Sequence, residues 1–115
     1  MKTLKELSLK DVMYAYEGGE IKELPVVRLD IENERVSIQC IDKNGYRLSC
    51  YGKHDEPNAK IMGYCGIDMM ISTSKTELKK CRIELCMNYI NEHNSVIDKL
   101  RKEIEILENQ TDENT

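Results

Sequence analysis

The spacing of apolar residues changes twice along the chain, and each change marks a different kind of element. Leu9, Val12, Met13 and Tyr16 recur at i, i+3, i+4 and i+7, the stripe of one helix face. Ser8 stands in front of them as an N-cap with Asp11 three residues on, and Gly18-Gly19 follows as a stop. The expectation is a short N-terminal helix. After Pro25 the period is two. Val27, Leu29 and Ile31 alternate with polar residues, then Val36, Ile38 and Cys40, then Tyr46, Leu48 and Cys50. Glu32-Asn33-Glu34 and Asn44-Gly45 supply tight turns between them, which predicts a three-strand antiparallel meander.

A polar loop over 52–60 leads to an apolar stretch from Ile61 to Ile71, whose Gly63 and Gly66 suggest one or two short strands with a bend. The fold class is therefore α+β: a short helix, a small curved antiparallel sheet of three to five strands forming a partly open barrel, then a long helix. Residues 1–74 make the helix-plus-sheet domain, 75–108 the long helix, and 109–115 a disordered tail.

In the last third the period becomes seven. Ser74-Lys75-Thr76-Glu77 is a capping box, and neither Gly nor Pro occurs from there to Asn109. Such a helix is roughly 50 Å long at about 1.5 Å per residue, against a radius of gyration of about 13 Å for a globule of this size. Ile83, Ile90, Ile97 and Ile104 occupy one heptad position (a), and Cys86, His93, Leu100 and Leu107 fall between them (d). This seam predicts a coiled coil with a second copy of the chain, and Ile at a with Leu at d favours two strands in parallel coils. Glu103 would then face Glu108 of the partner helix, a mild repulsion that leaves the antiparallel pair open. A second stripe, Leu78, Cys81, Leu85, Tyr89 and Val96, is expected to pack the N-terminal half of the helix onto the sheet. The alternative is a helical hairpin turning at Asn91–Ser95, which is rich in weak helix formers. The heptad phase runs through that segment without a slip.

Composition narrows the function classes. The chain has no Trp and no Phe, six Tyr, and a net charge of −4 shared evenly between residues 1–74 and 75–115. Without a basic footprint, phosphate-driven binding to DNA or RNA is not expected. No apolar run approaches a membrane span, and the opening residues lack the apolar core of a signal peptide. The five cysteines, Cys40, Cys50, Cys65, Cys81 and Cys86, form no CxxC pair and are expected as reduced thiols.

Cys40, Cys50, His54 and Cys65 are four candidate zinc ligands, but they form no paired knuckle, and two of them fall on apolar strand faces. Core thiols and a loop histidine explain them more simply. His93, a polar residue in the seam, fits a register-fixing role. Cys86 and His93 lie seven residues apart, about 10 Å along a helix, too far for a nucleophile–base pair. No catalytic group, metal or cofactor is expected. Tyr46, Arg47, Tyr51, Lys53, His54 and Tyr64 group on the sheet and its loop. They include the residue types enriched in binding hot spots, and form the expected partner surface.

Through Ser8–Glu20 and Ile71–Leu85 the layout resembles small accessory proteins of tailed phages and prophages: a short helix closing on Gly-Gly, a small barrel-like sheet, and a Ser/Thr-capped helix rich in Glu and Lys. The resemblance implies a non-enzymatic, oligomeric protein of the host-cell cytoplasm that binds and inhibits a host protein, as anti-CRISPR proteins do. The alternatives it leaves are a sponge holding a small immune nucleotide between subunits and a structural or assembly adaptor.

Overall fold

The computed structural model of the chain describes residues 1–110. Six antiparallel strands, β1 (Val12–Glu17), β2 (Glu20–Glu32), β3 (Arg35–Ile41), β4 (Arg47–Lys53), β5 (Asn58–Ile61) and β6 (Met70–Ser72), pair each with the next. β6 returns to β1 through Tyr14↔Ser72 and Ala15↔Ile71, so the barrel is closed rather than partly open, and it has one strand more than the largest sheet expected.

The N-terminal helix is absent; its residues form β1. Met13 and Ala15 turn toward the core while Val12, Tyr14 and Tyr16 line the other face, a period of two carried by β-branched and aromatic residues. Gly18 and Gly19, at φ 59° and 85°, are the two central residues of the β1–β2 hairpin. A two-residue hairpin loop of type I′ needs positive φ at both places, which two glycines supply without strain. The Ser8/Asp11 signal is real but local: the Asp11 carboxylate accepts the Ser8 N–H at 2.8 Å, closing a turn in front of β1.

Val36, Ile38, Cys40 and Cys50 are buried as the alternation requires, with Leu48 packed beside them. β2 departs from it. A bulge between Val26 and Arg28 inserts one residue, so Leu24 and Val26 point inward before it and Leu29 after it, while Val27 is exposed. One end of the barrel is plugged by the N-terminal segment. Leu4, fully buried, sits in a 3-10 turn whose backbone donates to the Glu56 and His54 carbonyls at 2.8 and 3.0 Å.

The C-terminal helix, α1, runs unbroken from Lys75 to Glu108, through the segment where a hairpin turn was the alternative. Half of its capping box forms. The Glu77 N–H donates to Ser74 Oγ at 3.3 Å, but the Ser74 N–H donates to Ser72 Oγ, and the Glu77 carboxylate accepts the Cys81 thiol instead. Residues up to Ile83 form one compact unit with the barrel; a second begins at Glu84. Within the first unit, Leu78 is fully buried, Asn58 Nδ2 reaches Cys81 Sγ at 3.1 Å, and the Arg82 guanidinium lies 4.2 Å over the Tyr16 ring and 3.6 Å from Asp68. Of the expected docking stripe, Leu78 is buried and Cys81 and Leu85 are half-buried, while Tyr89 and Val96 are 44% and 53% exposed. Among the described residues no helix is long and apolar enough to cross a membrane. Most of the expected tail, residues 111–115, lies outside the described residues.

Candidate binding site

A groove of about 720 Å³ crosses the outer face of the barrel over β3, β4, β5 and β6. Antiparallel register builds it. Ser37 stands opposite Tyr51, Tyr51 opposite Lys60, and Lys60 opposite Met70, so one row of outward side chains spans four strands. In the next row Arg35 faces Lys53. The Arg35 guanidinium lies 4.4 Å from the centre of the Tyr51 ring, a cation–π contact that orders a long side chain across an aromatic face. Around this stack the lining carries Arg35, Lys53 and Lys60 against Glu32, Glu34 and Glu56. The groove is thus amphoteric, with an aromatic centre and both signs of charge at hand. Asn58, at its edge, gives its Nδ2 to Cys81, and its Oδ1 is buried without a hydrogen-bond partner.

Of the six expected contact residues, the structure brings two into this groove, Tyr51 and Lys53. Tyr46 is 70% exposed in the β3–β4 loop, and Arg47 opens β4, where its guanidinium donates to Gln39 Oε1 at 3.3 Å. His54 is engaged through its backbone, donating to the Glu34 carbonyl and accepting from Lys5. Tyr64 lines a separate groove of about 690 Å³ together with Glu17, Lys22, Asp42, Asp68 and Arg82. Arg35, Ser37, Lys60 and Met70 were not singled out from the sequence. The first two follow from the hairpin register once Asn33-Glu34 is taken as the turn; the others depend on β5 and β6, whose pairing had no local signal.

No family model matches the chain, and comparison with curated proteins and with solved structures returns no match.

The cysteines separate by environment, and no disulfide joins any of the five. Cys40 and Cys50 lie in the barrel core, where a hydrogen bond to Cys50 and burial push the Cys40 thiol far above its ordinary range. Cys65 and Cys86 are exposed and Cys81 is half-buried. Among the described residues no group of three or more His, Cys, Asp or Glu side chains is placed to hold a metal ion.

The seam of α1 lies in water in the single chain. Ile83, Ile90, Ile97 and Ile104 are 58%, 58%, 43% and 53% exposed, and Leu100 and Leu107 are 52% and 58% exposed. Cys86 and His93 are exposed as well, with His93 stacked on Tyr89 one turn away, ring centres 6.3 Å apart.

Proposed function

We propose that this chain is a non-enzymatic binding protein that self-associates through α1 and presents the Arg35–Tyr51 groove to a partner protein. The observation that carries the proposal is the exposed seam on an unbroken 34-residue helix. Complete burial of each seam Ile stabilises by about 1.5–3 kcal/mol. Leaving all four in water forgoes several kcal/mol, and a matching seam recovers it. The groove supports the second half of the proposal, since a rigid barrel face carrying Tyr and Arg suits protein recognition. The resemblance to phage accessory proteins gives its specific form, an anti-defence protein that inhibits a host protein in the host cytoplasm. That likeness now rests on Ile71–Leu85, because Ser8–Glu20 folds as a turn and strand hairpin.

The nucleotide-sponge reading draws on Arg35, Lys53 and Lys60 around an aromatic ring, and is weakened by the three carboxylates in the same groove. Two measurements separate the readings. Affinity capture from host lysate with wild type and with Arg35→Ala/Tyr51→Ala should yield a specific protein with the first bait only. A rise in melting temperature with cyclic nucleotides, by mass action, together with no captured protein, would favour the sponge.

A further inference from the structure

Resting on the self-association proposed above, we infer that two copies of α1 pair antiparallel, in the register that sets Ile83 of one against Leu107 of the other. The seam begins at Ile83, because the preceding repeat positions, Thr76 and Lys79, are polar, and it ends at Leu107. Antiparallel overlay of these eight positions makes four distinct layers: Ile83 on Leu107, Cys86 on Ile104, Ile90 on Leu100 and His93 on Ile97. Each small or polar residue meets an isoleucine and each leucine meets an isoleucine. Parallel pairing instead stacks Cys86 on Cys86 and His93 on His93, leaving one underfilled layer beside a layer of two imidazoles.

The flanking positions point the same way. In the antiparallel register Lys80 faces Glu108 of the second copy, an attractive pair made twice by symmetry; Met87 faces Arg101, Tyr89 faces Glu103, and Val96 and Asn94 face themselves. No like charges meet. In the parallel register two pairs have both partners charged, Lys75 against Lys80 and Glu103 against Glu108, and both repel. Lys80, Glu103 and Glu108 are all exposed, so none of these pairings has to displace an existing buried contact.

A charge reversal distinguishes the two arrangements with opposite signs. Glu108→Lys sets Lys against Lys80 in the antiparallel dimer, and its dissociation constant, measured by sedimentation, should rise several-fold. In a parallel dimer the same change turns the Glu103 pair attractive and tightens association. A second variant reads the core directly. With Cys65→Ser removing the other exposed thiol, Ile104→Cys treated with diamide should give a covalent dimer mapped to Cys86 and position 104. Linkage of Cys86 to Cys86, or tightening by Glu108→Lys, overturns the antiparallel register but leaves self-association standing. A wild type that sediments as a monomer overturns both.

Discussion

The absent side chain of Gly52 and the Cδ1 of Leu4 compete for one volume: a Cβ at position 52 would stand 2.6 Å from that methyl and 2.7 Å from the Asn58 carbonyl oxygen. The glycine thus lets the N-terminal segment plug the barrel. Gly52→Ala should destabilise by about 1–3 kcal/mol, the usual result of overpacking. Leu4→Ala should cost about 2–5 kcal/mol through the lost burial and the cavity it leaves. Urea titration of the two variants checks both, and a neutral Gly52→Ala would show that the plug is loosely seated.

Thiol reactivity should follow burial. Under native conditions a maleimide reagent should modify Cys65 and Cys86 fastest and Cys81 more slowly, leaving Cys40 and Cys50 untouched until the chain unfolds. Five adducts after denaturation without reductant would establish that all the cysteines are reduced. Rapid labelling of Cys40 would contradict a closed barrel.

Much of the fold was legible, and the failures share a physical cause. The capping box, the run without Gly or Pro and the unbroken heptad phase marked α1 to its last residue, because helix signals are local. Ser8–Gly19 misled because Leu9, Val12, Met13 and Tyr16 satisfy a helical period, while Val12–Tyr16 also suits a strand; the choice was made by pairing with β2 and β6, contacts distant in sequence. Closure was hidden for the same reason, as β5 and β6 are only four and three residues long. Arg35 and Lys60 escaped notice because a groove depends on register across several strands, and a single bulge, as at Val26–Arg28, shifts which residues share a face.

Two acidic residues near the N-terminus should titrate low. A hydrogen bond from the Thr3 hydroxyl and another from its N–H hold Glu6 below its ordinary 4.5; Lys2 and the Ser8 N–H hold Asp11 below 3.8. Because the folded values are depressed, what these contacts add is complete above the ordinary carboxylate range and is lost as pH falls through the folded values. Side-chain carbon NMR titration should place both midpoints below those references, with the Thr3 and Ser8 amide shifts moving in step. Midpoints at or above them would mean that the turns are open in solution.

The Arg35–Tyr51 stack should matter to partner capture without supporting the fold. Both residues lie on the outer barrel face, so Arg35→Ala and Tyr51→Ala should each change stability by less than about 1 kcal/mol and leave the oligomeric state unchanged. Each should weaken capture of the partner. Loss of capture only with seam substitutions would move the partner surface from the barrel to the helix.

Sedimentation velocity of wild type beside Ile97→Asp/Ile104→Asp measures directly whether α1 pairs with a second copy. At tens of micromolar the wild type should sediment as an oligomer. The double variant should sediment as a monomer and lose helical circular dichroism while the barrel's strand signal persists. A wild type that sediments as a monomer at that concentration would show that α1 does not pair.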